Sequence, residues 1–154
     1  GAVIAVPEPV LDTVRRHARQ VRPGREVVGC LFVRPIDGRP PRAAREYEAV
    51  RYVRRRNLAR VPGAFRVAAG WARGRRPGEV AVLLHSHPNG LLYPSDEDVD
   101  EANGKWLGRP YAIYSLTKDK VGFFELLPDQ SEWRPWEGAV PRHAEPTDSR
   151  SPST

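Results

Sequence analysis

Two short runs of apolar residues, 27–33 and 80–84, carry no charged side chain along their length. Each is too short for a buried helix and reads as a strand. Because neither alternates apolar with polar, each must be covered on both faces. A sheet with such strands at its centre needs cover above and below, which predicts an α/β (α+β in detail) fold with a mixed β-sheet flanked by helices. The chain of 154 residues is 40% hydrophobic, enough for one domain with a substantial core, and excludes a wholly disordered protein. No stretch approaches the roughly 20 apolar residues of a membrane helix, so no membrane association is expected. A single cysteine, Cys30, and a start without a basic, apolar leader point to a reduced, cytoplasmic setting.

Residues 7–21 hold Leu11, Val14, Ala18 and Val21 at three- and four-residue spacing, with Arg15, Arg16, Arg19 and Gln20 turned away. That spacing predicts an amphipathic helix with His17 at its exposed rim. Pro23 and Gly24 stop it, and Glu26 leads into the first apolar run. Tyr47, Val50 and Tyr52 predict a second strand over 46–53, followed by irregular chain over 57–65. Residues 65–71 are too few to separate strand from helix, and 73–78 read as a loop. The second apolar run delivers His85, Ser86 and His87 at its C-terminal end. Pro94 and Ser95 then open a helix to about residue 106, and 111–116 with 121–127 form a hairpin. The folded domain is expected over 1–127. Residues 128–154, which include His143, form a Pro/Ser/charged tail whose end is too poor in apolar residues to order.

Two imidazoles two residues apart on an extended strand project from the same face, so His85 and His87 can share one metal ion. Asp98, in the first turn of the following helix, can add a carboxylate and leave a fourth position open, the pattern of a catalytic zinc site. A structural site favours thiolates, and the one thiol, Cys30, lies within an apolar strand. Taken singly, each residue has a plainer role: the histidines as strand-end residues bonded to backbone, Ser95 as a helix N-cap and Asp98 as its capping-box acid. Capping does not account for the histidines.

The segment His85-Ser86-His87-Pro88, six residues, then Ser95-Asp96-Glu97-Asp98 resembles the JAMM motif of the MPN (Mov34-like) zinc metalloprotease family. Glu26-Val27-Val28-Gly29 is similar to the Glu-x-x-Gly start of that family's first strand. Asn57, Arg60, Pro62 and Phe65 are similar to its Asn-rich stretch, so the likeness covers roughly residues 5–127. The resemblance implies an MPN, or cytidine-deaminase-like, fold and a Zn2+ cofactor held by His85, His87 and Asp98. It implies Glu26 as the general base and Ser95 as a hydrogen-bond donor to the oxyanion. The implied reaction is hydrolysis of an amide bond at the C-terminus of a ubiquitin-like or sulfur-carrier protein ending in Gly-Gly. The Tyr93-Pro94-Ser95 lead-in and the short length are most similar to bacterial CysO-cysteine peptidase-type members, while RadC proteins share a similar layout. The segment 67–78 is short for the family, and no room remains for insertions that grip a second ubiquitin.

Up to Leu92 there are 18 Arg against 7 acids, and beyond it 7 basic residues against 12 acidic ones. Arg51, Arg54, Arg55, Arg56, Arg60, Arg73, Arg75 and Arg76 therefore read either as a footprint for an acidic partner or as a solvated face. No zinc-finger spacing or aromatic-rich RNA signature accompanies them, so nucleic acid is not the expected partner. A RadC-like protein associated with nucleic acid, a metal-free MPN scaffold and a small-peptide hydrolase are the rival readings.

Overall fold

The computed structural model describes residues 3–21, 25–39, 44–58, 73–88, 90–92, 94–95, 110–126 and 133–135. Among the described residues, seven strands form one mixed sheet: β1 (Val3–Ala5), β2 (Glu26–Pro35), β3 (Glu46–Leu58), β4 (Val80–His87), β5 (Pro110–Ser115), β6 (Lys120–Leu126) and β7 (Trp133–Pro135). Their order is β1-β3-β2-β4-β5-β6-β7. β1 runs parallel to β3 and β4 parallel to β5, and the other neighbours are antiparallel. The two apolar runs are β2 and β4, adjacent at the centre of the sheet and buried along nearly all their length. Among the described residues there is one helix, α1 (Glu8–Arg19), and no helix long and apolar enough to cross a membrane.

Alternation sorts the core into two faces. Val27, Leu31 and Val33 of β2, Val80, Val82 and Leu84 of β4, and Ala112 and Tyr114 of β5 gather under Val14 and Ala18 of α1. The alternate residues Val28, Cys30, Phe32, Leu83, Tyr111 and Ile113 are equally buried on the opposite face. Desolvation there pushes the Cys30 thiol up to about 12, so it is an inert packing group.

α1 opens with Pro7 as N-cap and Glu8 in its first turn, and ends with Arg16 and Arg19, charges that complement its dipole. His17 is not at an exposed rim: it is 1% exposed, and its Nδ1 lies 2.8 Å from the Tyr52 hydroxyl on β3. A polar residue on the apolar stripe is tolerated because its ring finds a hydroxyl there. Gly29 makes room for that hydroxyl, since a methyl group at its Cα would overlap the Tyr52 phenol. At the other side of the helix, Arg15 pairs with Glu8 and, at 3.0 Å, with Asp119 in the β5–β6 turn. Asp119 also accepts the Tyr114 hydroxyl proton at 2.5 Å and adopts a left-handed φ of 53°, which Asp tolerates.

Three elements depart from the expectation. β3 continues through Asn57 and Leu58 into the stretch read as irregular, because β2 offers it partners as far as Glu26. β1 and β7 are three-residue edge strands, the second of them within the stretch read as a tail. The helix expected after Ser95, the segment 59–72 and His143 lie outside the described residues.

Glu79, just before β4, is 6% exposed and pairs with Arg51 at 2.7 Å, while the Arg76 N–H donates to it at 2.7 Å. Burial alone would raise its carboxyl; the Arg51 and Arg76 bonds outweigh that and hold it below the usual range. Bonds from Arg15 and Tyr114 likewise lower Asp119.

Two predictions follow from this packing. Gly29→Ala should lower unfolding free energy in urea by about 2–3 kcal/mol, and by under about 1 kcal/mol in a Tyr52→Ala background, where the overlap is gone. Because the Glu79 and Asp119 carboxyls are lower in the folded state than unfolded, their stabilisation is complete above the unfolded value of about 4 and disappears as pH falls through the folded one. Urea midpoints should therefore drop between pH 6 and pH 3, and drop less in Glu79→Gln.

Candidate metal centre

β2 and β4 run antiparallel with Val28 opposite His85. Glu26 is on the same face of β2 as Val28, and His87 on the same face of β4 as His85, so the register alone gathers one carboxylate and two imidazoles. Ligand atoms of Glu26, His85 and His87 lie within 4.8 Å of one another. The His85 and His87 ring centroids are 5.0 Å apart and tilted by 59°. His85 is fully buried, with Nδ1 at 3.6 Å from Glu26 Oε1, whose side chain keeps 19% exposure. That separation is too long for a hydrogen bond.

His87 is 4% exposed, and its orientation is fixed from two sides. Its Nδ1 stands 2.8 Å from the Leu91 carbonyl oxygen, which can only accept, so Nδ1 carries the proton and donates. The lone pair of the neutral ring is then on Nε2, the arrangement a metal-ligating imidazole requires. Its own carbonyl accepts the Leu116 N–H at 3.3 Å. Gly90, at φ 83°, brings the loop carrying Leu91 close against Thr117, with no space for a side chain. The carbonyl that selects the His87 tautomer is thus held by the β5–β6 turn.

Between the histidines, Ser86 is fully buried, and its Oγ accepts the Val27 N–H at 2.9 Å. No role was expected for Ser86, nor for the Leu91 carbonyl. The place of Ser86 between two same-face histidines is a signal that its hydroxyl faces elsewhere, whereas a main-chain oxygen leaves no mark in a sequence.

The expected residues are therefore placed as follows. His85, His87 and Glu26 come together. Ser95 stands half-buried after a buried Pro94, in neither helix nor strand. Asp98 lies outside the described residues. Two buried imidazoles and a half-buried carboxylate, close together and without a thiol, suit zinc or a similar divalent ion. Among the arginines, Arg51 is bound to Glu79 and lies 3.9 Å above the Phe32 ring, and Arg54 donates to Gln20 at 2.6 Å.

No curated protein is significantly similar to the chain. Two solved structures share its fold. A solution structure of a protein from Desulfitobacterium hafniense has a TM-score of 0.58 at 22% identity, covering 88% of this chain and 90% of its own. One from Salinibacter ruber has a TM-score of 0.53 at 21% identity, covering 94% and 95%. The family of prokaryotic homologs of the JAB domain matches residues 7–136, from the first turn of α1 to beyond β7 and so including Glu26, His85, Ser95 and Asp98. The chain belongs to that family.

Proposed function

We propose that the protein is a zinc-dependent hydrolase that cleaves an amide bond at the C-terminus of a ubiquitin-like or sulfur-carrier protein. The observation that carries this reading is the convergence of Glu26, His85 and His87 within 4.8 Å on one sheet face. Family membership supports it, and the substrate follows from the motif likeness described above.

His85, His87 and Asp98 are the residues that would hold the ion, and Ser95 is the neighbouring donor. Zinc bound there supplies a Lewis acid and lowers the pKa of a coordinated water to about 7. Glu26 accepts a proton from the attacking water on its carboxylate and returns it to the departing amine, a contribution of roughly 10² to 10⁴ in rate. Its partial exposure lets it meet both water and substrate, while the buried His85 meets neither from bulk solvent. His87 donates from Nδ1 to the Leu91 carbonyl, so Nε2 is the nitrogen it would offer the ion. Ser95 donates to the oxyanion as the carbonyl becomes tetrahedral, worth about 3 kcal/mol for one donor. A flexible Gly-Gly tail is a suitable substrate because an extended, side-chain-free segment enters a narrow cleft at low steric cost.

The first test is metal content. Purified protein should carry one zinc, and His85→Ala and His87→Ala should each weaken it by at least about 100-fold. A protein that binds no transition metal stoichiometrically ends the proposal. Glu26→Gln separates base from ligand: it should keep zinc and lose at least about 100-fold in turnover, whereas loss of zinc would make Glu26 a ligand instead. Incubation with carrier proteins extended beyond Gly-Gly should give zinc-dependent trimming by mass spectrometry, and failure on every such substrate rejects the assignment.

A further inference from the structure

The β2–β4 ladder stops at Val28 and His85, although β2 stays paired with β3 as far as Glu26 and Leu58. At the next step the Val27 N–H is taken by the Ser86 hydroxyl rather than by a main-chain carbonyl of β4. A side-chain acceptor therefore stands where the ladder would otherwise continue, and the first residues of β2 diverge from β4 with a hydroxyl in between. Glu26 is the next residue out. Its backbone is attached to the one amide that Ser86 holds, and its carboxylate stands beside imidazoles on either side of Ser86.

We propose that Ser86 is a positioning residue for Glu26: by accepting the Val27 N–H, its hydroxyl sets the distance of the Glu26 carboxylate from His85 and His87. The inference rests on the reading of Glu26 as the base. Three features carry it. The bond is short and wholly buried, joining positions 59 residues apart in the chain, so it is tertiary rather than local. Ser86 shares its backbone with both imidazoles, so one strand orients the metal-binding side chains and anchors the acid. β3 pairs with Glu26, Val27 and Val28, but a register irregularity between Val28 and Gly29 separates that pairing from the rest of the β2–β3 ladder, so the Ser86 bond is the tie of this segment to β4. A carboxylate that must reach a water at the ion His85 and His87 would hold tolerates little displacement, since a shift of about 1 Å can cost about 100-fold in rate.

Ser86→Ala removes the acceptor, Ser86→Cys replaces it by a weak one of similar size, and Ser86→Thr keeps a hydroxyl. In Ser86→Ala, amide exchange at Val27 should speed up by about 10-fold or more. The Glu26 Oε1 to His85 Nδ1 separation in a crystal structure should move away from 3.6 Å. Zinc content should stay at wild-type stoichiometry. On a carrier substrate kcat should fall by about 10- to 100-fold with KM within about threefold, and Ser86→Thr should recover most of it. Should Ser86→Ala fail to fold, Ser86→Cys takes its place, with the same shifts expected at smaller size. Unchanged Val27 exchange together with an unmoved Glu26 overturns the proposal, as does a displaced Glu26 in an enzyme whose kcat holds. If the wild-type protein hydrolyses nothing, the functional reading fails on turnover, while exchange and the Glu26–His85 distance still decide what Ser86 does.

Discussion

The register of β2 against β4, with Val28 opposite His85, is the constraint on which the rest of the structure depends. Side chains alternate with period two, so a slip of one residue would turn Glu26 to the face of α1 and leave the imidazoles on the other. Three features hold β2 in register, two of them against β4 and one, Tyr52, against β3. Both strands are buried on both faces, so a slip would misplace large residues on two sides at once. The Tyr52 phenol lies over Gly29 and no other β2 residue could accept it there without a clash. The Ser86 hydroxyl takes the Val27 amide. The pairing therefore organises two cores and the candidate metal centre together.

Much of this was legible in the residues. The apolar runs of β2 and β4 have no stable placement except between two layers, and the spacing of Leu11, Val14 and Ala18 admits only a helix lying on a sheet. His85 and His87 could be read as one site because period two puts them on one face whatever the fold. What could not be read depends on partners remote in sequence. His17 looks like a rim residue until Tyr52 supplies a hydroxyl at 2.8 Å. The extension of β3 to Leu58 follows from the length of β2 and not from its own arginine-rich sequence. β1 and β7, three residues each, are too short for any periodicity to show. Glu26 was legible only through its likeness to a family motif, since an acid at the head of a strand is ordinarily a surface residue.

The arginines show how a basic composition becomes structure rather than a uniform charged face. Arg15 ties α1 to the β5–β6 turn through Asp119, with Glu8 sharing its guanidinium. Arg51 lies over Phe32 and neutralises Glu79, capping the end of the sheet face remote from the histidines. Arg54 donates to the last residues of α1 through Gln20. In each case a forked cation joins two elements, and Arg51 also covers the Phe32 ring, which a lysine does less well. The 25 basic residues therefore overstate the field this surface presents, because part of their charge is matched within the fold by acids they touch, and the net charge is +6.

The contrast between Glu79 and Glu26 shows why only one of two acids near the ends of central strands is suited to chemistry. Glu79 is almost wholly buried, faces a guanidinium at 2.7 Å and accepts a backbone N–H, and both bonds favour its ionised form. A carboxylate so satisfied is a poor proton acceptor, because taking a proton means giving up those bonds. Glu26 instead has imidazoles for neighbours, lies beyond hydrogen-bond reach of His85 Nδ1, and retains an opening to solvent. Its backbone adjoins the Val27 amide, whose N–H the Ser86 hydroxyl accepts. An acid anchored by its carboxylate can only hold the fold together.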